Sequence, residues 1–221
     1  MIIVIDGPAG SGKSSTAKKL AELLDIQYLD SGALYRALTF LWLNNDKPDL
    51  SEFFDMLPEV NLETEYRDQL FHVKVNGNDI TNKIRTQRVA NHVSEIAAKP
   101  EARIFVNQYM RKLVMHDTYI ADGRDLGTAV FPNADLKFYM DASLEERAKR
   151  RYRELISVGS DISFEEVKIN LIERDHKDSN RAADPLKKDA DAILIDTTGK
   201  TFEEQLKEMT TIIRKKLKLK Q

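Results

Sequence analysis

Met1-Ile2-Ile3-Val4-Ile5-Asp6-Gly7-Pro8-Ala9-Gly10-Ser11-Gly12-Lys13-Ser14-Ser15 opens the chain, and its halves call for different backbones. The apolar run over 2–5 suits a short strand buried on both faces. Gly7 to Ser14 then fits G-x-x-x-x-G-K-[ST] at every fixed position. Glycines let such a loop curl so that successive N–H groups point inward at phosphates, and the helix that follows adds the positive end of its dipole. Lys13 is placed to reach β- and γ-phosphates, and Ser14 to ligate Mg²⁺. Strand, loop and helix in that order predict an α/β domain built on a phosphate-binding loop.

Working outward, the chain has 221 residues, enough for one α/β domain with appendages and too few for two full domains. With 34 basic and 36 acidic residues the formal net charge is −2, so the surface as a whole is not a platform for nucleic acid. The basic end, Arg214-Lys215-Lys216-Leu217-Lys218-Leu219-Lys220, reads as cations at the negative pole of a final helix. There is no cysteine, which excludes disulfides, thiolate metal sites and a thiol nucleophile and suits a reducing cytosol. No run of about 18 apolar residues occurs. The expectation is a soluble, cytoplasmic protein with neither nucleic-acid nor membrane partner, taken as a monomer.

Apolar residues at Ala17, Leu20, Ala21 and Leu24 lay one stripe along a helix over 13–24. Short apolar runs at 26–29, 119–121, 136–140 and 192–195 are each followed by Asp, Ser or Gly and a helical stretch. With 2–5 they predict a five-stranded parallel sheet, whose ligands gather beyond the carboxyl ends of the strands. The roughly ninety residues between the second and third strands exceed any simple crossover. They therefore contain an insert. Within it 70–75 alternates as a strand and ends in Asn76-Gly77, a hairpin signal. Helices are predicted over 32–44, 86–98 and 101–115, with Pro100 suited to a first turn. A second irregularity spans 145–163, where Arg147, Arg150, Arg151 and Arg153 run down a helix that stops at Val158-Gly159-Ser160-Asp161. That segment reads as a hinge or lid. Ser163 with Glu166 forms a capping-box pattern, and Arg174, Asp178 and Arg181 at i, i+4 and i+7 project one way.

The arginines narrow the chemistry. Arg36, Arg103, Arg124, Arg147, Arg150, Arg151, Arg174 and Arg181 follow predicted strands or lie on the insert and lid helices. Phosphoryl transfer spreads charge over equatorial oxygens, which planar guanidinium forks match. An alcohol acceptor needs a positioned base, whereas a phosphate monoester with second pKa about 6 is already mostly dianionic. A monophosphate acceptor instead needs a second set of cations, which the arginines beyond Lys13 supply.

Four further segments are more specific: Asp30-Ser31-Gly32-Ala33-Leu34-Tyr35-Arg36, Ile84-Arg85-Thr86-Gln87 followed by Val89-Ala90, Ala121-Asp122-Gly123-Arg124-Asp125-Leu126-Gly127-Thr128, and Asp178-Ser179-Asn180-Arg181 followed by Pro185-Leu186. In order and spacing the chain resembles the bacterial cytidylate kinases over essentially its whole length. The resemblance implies a P-loop nucleoside monophosphate kinase fold in one domain, 1–221. Its core would be 1–31, 106–146 and 164–221, its monophosphate-binding region 32–105 with the β-containing insert, and its arginine-rich lid 147–163. It implies transfer of the γ-phosphoryl group of ATP to CMP or dCMP, with Mg²⁺ as cofactor. Gly7, Pro8, Ala9, Gly10, Ser11, Gly12, Lys13, Ser14 and Ser15 would bind ATP. Ser31, Arg36, Arg124 and Arg181 would hold the acceptor phosphate, Arg174 and Asp178 the ribose side, and Ser94, Arg103 and Asp125 the base. Lys13, Arg124, Arg181, Arg147 and Arg151 would carry catalysis. Cytosine's amino group can donate to Asp125 while its ring acceptors take bonds from Arg103 and Ser94. Uracil's O4 would face a carboxylate that only accepts. A second role for Asp125 is N-cap of the stretch 126–130, and the two are compatible. Asp122 is placed near Mg²⁺ with Ser14, or in a buried hydrogen bond to the loop. Ser15 and Asp184 depart from the family's common residues, and neither is expected to touch a ligand.

Other readings remain at this stage. A kinase for UMP, AMP, dTMP or a small alcohol would share the loop, and a GTP-dependent switch would too. Asp196-Thr197-Thr198-Gly199 matches the switch pattern D-x-x-G, but follows the last predicted strand, and Asn82-Lys83 lacks the aspartate that would read guanine.

Overall fold

The structure, a computed structural model, describes residues 1–45, 48–157 and 159–217. Along them run β1 (Ile2–Asp6), α1 (Lys13–Leu24), β2 (Gln27–Asp30), α2 (Ser31–Asn44), α3 (Leu50–Asp55), β3 (Leu62–Arg67), β4 (Leu70–Val75) and β5 (Asn78–Asp79). There follow α4 (Gln87–Ala97), α5 (Pro100–Leu113), β6 (Tyr119–Asp122), β7 (Leu136–Asp141), α6 (Leu144–Ser157), α7 (Phe164–Asn180), β8 (Ile193–Asp196) and α8 (Phe202–Leu217). Five strands pair in the order β2-β6-β1-β7-β8, and every pairing is parallel. This is the α/β sheet that the apolar runs predicted.

Because β1 is central and covered on both faces, Ile3, Val4 and Ile5 are wholly buried, each contributing about 1.5–3 kcal/mol through that burial. The register brings the carboxyl ends level: Ile5 lies beside Asp122 and Phe138, Asp30 beside Asp122, and Asp141 beside Asp196. Gly7 must turn the chain there at φ 150°, since a Cβ would stand 2.0 Å from the Met140 carbonyl oxygen. Ala17, Leu20 and Ala21 of α1 pack inward as their spacing predicted, and Leu24 is half-buried against the same core.

The insert holds a second, antiparallel sheet in the order β3-β4-β5. The Asn76-Gly77 turn, at φ 48° and 78°, joins β4 to β5 as predicted. Strand β3 was not anticipated: its turn is Asp68-Gln69, at φ 52° and 59°, a poor match to the usual hairpin pairs. Tyr28 of edge strand β2 joins the two sheets, its ring edge-on to Tyr66 at 5.3 Å and to Phe71 at 6.1 Å. Helix ends follow the local chemistry. Asp30 caps α2 through the Ala33 N–H at 2.9 Å, Pro100 starts α5, and Ser163 and Glu166 form the capping box of α7. The last turn of α8 carries Arg214, Lys215 and Lys216; Val158 of the hinge segment, and Lys218, Leu219 and Lys220 of the basic end, lie outside the described residues. Among the described residues no helix is long and apolar enough to cross a membrane.

Candidate active site

The phosphate-binding loop bends around Lys13, which is 5% exposed and donates from Nζ to the Pro8 carbonyl oxygen at 3.0 Å. Burial, with Arg124 next, pushes the Lys13 ammonium down to about 7, while Asp122 pulls the other way. Ser14 Oγ donates to Asp122 Oδ2 at 2.6 Å, and Tyr28 Oη donates to Asp122 Oδ1 at 2.6 Å. Burial and then Asp30 raise the Asp122 carboxyl. Asp122 therefore makes the buried hydrogen bond to the loop that its sequence position allowed. Pro8, Ala9 and Ser11 are buried and Ser15 is exposed on α1. A Cβ on Gly10, where φ is 76°, would sit 3.1 Å from the Arg147 carbonyl oxygen, and Gly12 turns into α1 at φ 90°.

Beyond the loop the guanidiniums collect. Arg36, Arg85, Arg124, Arg151 and Arg174 form a cluster: burial and then Arg124 hold Arg174 down to about 10, with Arg36 and Arg151 adding to the effect. Burial likewise lowers Arg36, against Asp30, with Arg151, Arg85 and Arg124 contributing. Arg174 Nε is buried without a hydrogen-bond partner among the described residues. Arg124 donates from Nε to Asp178 Oδ2 at 3.0 Å, and although burial works against ionisation of Asp178, Arg124 and Arg174 outweigh it and lower its pKa. Arg85 lies 3.8 Å from Asp30. Ser31 Oγ donates to the Asp122 carbonyl oxygen at 2.7 Å, which ties the start of α2 to the end of β6. Arg151 contacts Glu154 at 2.8 Å.

At the far end Arg103, only 2% exposed, meets Asp125 through Nη2. Arg181 Nη2 donates to the other Asp125 oxygen at 2.7 Å. Burial raises the Asp125 carboxyl, with Arg103 and Arg181 opposing. Helix α7 ends at Asn180, so Arg181 leaves it in extended backbone and the i+7 spacing does not govern its direction. Ser94 is half-buried on α4 and is not reached by the hydrogen bonds that join Arg103, Asp125 and Arg181.

The cap of the turn after β6 departs from the sequence reading. Asp125 makes no side-chain cap for the π-helical turn Leu126–Val130. Asp6 does so instead, accepting from the Leu126 N–H at 2.9 Å and the Gly127 N–H at 2.7 Å, because it ends β1 directly beneath that turn. Asp184, expected to touch no ligand, reaches a side chain of the site: its carboxylate accepts from Arg103 Nε at 2.8 Å. Arg147 belongs to the loop's foundation, since it is 8% exposed and donates to the Ala142 and Ala9 carbonyl oxygens, each at 3.0 Å, and to Asp175 at 2.5 Å.

Sequence reasoning passed over Asp6, Asp175 and Thr197. Asp6 carried a usable signal as a charge between a buried strand and the phosphate loop. Asp175 accepts from the Ala9 N–H at 3.3 Å. Thr197 ties β8 to α6, its hydroxyl and carbonyl oxygens accepting from Arg150 at 2.9 and 2.7 Å. In the D-x-x-G segment, Asp196 accepts from the Thr198 N–H at 2.9 Å, so the segment is a turn after β8, and its Thr197 hydroxyl donates to the Ser11 carbonyl oxygen at 3.4 Å.

A donor set of one hydroxyl and one carboxylate beside the loop suits a hard, oxygen-seeking cation. Among the described residues no group of three or more His, Cys, Asp or Glu could hold a metal ion. A divalent cation at Ser14 and Asp122 would therefore take most of its ligands from nucleotide phosphates and water.

The cytidylate kinase family profile matches residues 3–215. A cytidylate kinase of Carboxydothermus hydrogenoformans is 42% identical over 218 residues, covering 98% of each chain. One from Lactococcus lactis subsp. lactis is 44% identical over 202 residues, covering 91% of this chain and 92% of that one. The crystal structure of an uncharacterized protein from Eubacterium ventriosum shares the fold with a TM-score of 0.54 at 13% identity, covering 96% of this chain and 98% of that one.

Proposed function

The chain belongs to the cytidylate kinase family and is a phosphotransferase, and we propose that it moves the γ-phosphoryl group of ATP onto the phosphate of CMP or dCMP. The observation that carries this reading is that Arg124 and Arg174 act on Lys13 of the phosphate-binding loop and, with Arg181, on Asp178, while Arg181 also joins Arg103 on Asp125. Two polyanions brought within bonding distance need that much intervening positive charge. The acceptor phosphate arrives deprotonated, so no side chain has to remove a proton. Lys13 neutralises the donor phosphates, while Arg124, Arg36 and Arg181 hold the acceptor in line, with Ser31 beneath it. Arg151 closes from the lid, and Arg147 fixes the loop from below. Arg174 and Asp178 face the ribose. Cytosine presents its amino group to Asp125 and its ring acceptors to Arg103 and Ser94.

Magnesium fits the pair Ser14 and Asp122, where it would offset the charge that develops between the donor's β- and γ-phosphates. The monophosphate region is assigned to 32–105 and the lid to 147–163. With a formal net charge of −2, the reading takes the protein as a cytoplasmic monomer acting on free nucleotides, with no nucleic-acid or membrane partner. The test is a panel of CMP, dCMP, UMP, AMP and dTMP at fixed MgATP, followed by separation of the diphosphates. CDP and dCDP are expected as the main products. Absence of CDP, or preference for another acceptor, overturns the proposal.

A further inference from the structure

Asp184 occupies a conformation that a side chain seldom adopts. Its φ is 46°, the left-handed region where Asp and Asn are several-fold enriched. That backbone turns the residue so that both its ends serve arginines. The carbonyl oxygen accepts from Arg181 Nε at 2.9 Å and from Arg181 Nη2 at 2.6 Å, and the carboxylate accepts from Arg103 Nε at 2.8 Å.

Arg103 shows what this accomplishes. A guanidinium has five N–H groups in one plane. Nε goes to Asp184, Nη1 to the Ala97 carbonyl oxygen at 3.2 Å, and Nη2 to Asp125. One N–H on each Nη remains, and all are fixed in direction because the Nε contact prevents the plane from turning. Without Asp184, the Ala97 and Asp125 contacts would both act at the Nη end, and the guanidinium could pivot about them. We propose that Asp184 is a positioning residue for acceptor recognition, which anchors Arg103 through Nε so that its Nη edge stays aligned with Asp125 toward the base. The inference rests on the reading of Arg103 and Asp125 as the base-facing pair.

The test uses Asp184→Gly and Asp184→Asn in the full chain, with Asp125→Asn beside them. Glycine accepts the left-handed backbone and keeps the carbonyl that Arg181 uses, so it removes only the carboxylate. Asparagine also tolerates that backbone, and its Oδ1 can still accept from Nε. Steady-state kinetics should show D184G raising KM for CMP about five- to tenfold, with kcat and KM for ATP within about twofold. D184N should stay within about threefold of the parent on all three. This rescue separates alignment of Arg103 from a general loss of structure, which would move both substrates together. If D184G leaves KM for CMP within about twofold, or D184N is as impaired as D184G, the positioning role is wrong. Should D125N nevertheless alter the CMP-over-UMP ratio, the base-facing assignment survives and only the role of Asp184 falls. Should D125N leave that ratio unchanged, both fall together.

Discussion

Lys13 is a cation held where a cation is poorly solvated, and this shapes how it responds to a nucleotide. Burial, then Arg124, bring it down to about 7 against an ordinary 10.5. In the protein without nucleotide, the unfolded chain binds more protons between those two values, so Lys13 makes stability rise with pH across that window. A triphosphate at the loop reverses the balance by favouring the charged form. At pH 8, ATP binding should therefore take up a proton, read by calorimetry as a dependence of the observed enthalpy on buffer ionisation enthalpy. Lys13→Met should remove that dependence; if it persists unchanged, the proton goes elsewhere. Asp125 supports a second prediction. Its carboxylate can only accept, so it favours cytosine's amino group, whereas an amide could also donate to uracil's O4. Asp125→Asn should narrow the kcat/KM ratio of CMP over UMP by at least about tenfold, and an unchanged ratio would remove Asp125 from base recognition. Neither Arg103 nor Asp125 is identifiable from periodicity. They meet across 22 residues of sequence, and only the family resemblance paired them, Arg103 having stood until then as one arginine among several, whereas Lys13 and Ser14 declared themselves through a motif whose spacing follows from phosphate geometry.

Among the elements, the inner strands were readable because a strand covered on both faces must be apolar almost throughout, and edge strand β8 keeps an apolar run although Leu194 is exposed. The second sheet was half readable. Strand β3 alternates as clearly as β4, with Leu62 buried and Glu63, Glu65 and Arg67 exposed, but its Asp68-Gln69 turn lacks the glycine that marks such a hairpin. The π-helical turn Leu126–Val130 could not have been read locally, since its N-terminal N–H groups are satisfied by Asp6, at a separation of 120 residues. Local rules offered Asp125 as the cap because it is adjacent in sequence; the sheet brings Asp6 closer in space. Asp6 is 5% exposed, and burial, outweighing the bonds from Gly127 and Leu126, raises its carboxyl to about 6. Asp6→Ala would leave two buried N–H groups unpaired, costing about 2–4 kcal/mol in urea unfolding, and Asp6→Asn should recover part of it by accepting one bond. Because the folded value lies above the unfolded 3.8, the stability linked to Asp6 is complete below 3.8 and lost as pH rises through 6. The alanine variant should therefore lose more at pH 5 than at pH 7.5. A loss under about 0.5 kcal/mol at both pH values would show that the turn is held by other means.

Over the whole molecule the charge is nearly balanced, at −2, but it is unevenly distributed. Arg36, Arg85, Arg124, Arg151 and Arg174 gather beyond the sheet, and burial, reinforced by neighbouring guanidiniums, lowers Arg36 and Arg174. Such a concentration works against folding and in favour of binding anions: repulsion and lost hydration oppose the compact chain, and both are relieved when phosphates enter. Arg174 is the sharpest instance, half-buried, held down to about 10, and with an enclosed Nε that has no hydrogen-bond partner among the described residues. Asp178 would still be paired without it, through Arg124. Arg174→Met, which fills similar space without charge, should therefore leave the thermal midpoint of the protein without nucleotide unchanged or raise it by about 2–4 °C. Its kcat/KM for CMP should meanwhile fall by about a hundredfold or more. CMP should also raise the midpoint less in this variant than in the parent, because ligand stabilisation follows affinity. Differential scanning fluorimetry with and without CMP, set beside initial rates, checks the three together. A midpoint more than about 5 °C lower without nucleotide would mean that Arg174 supports the fold, and that the cleft's positive charge is not held against the stability of the molecule.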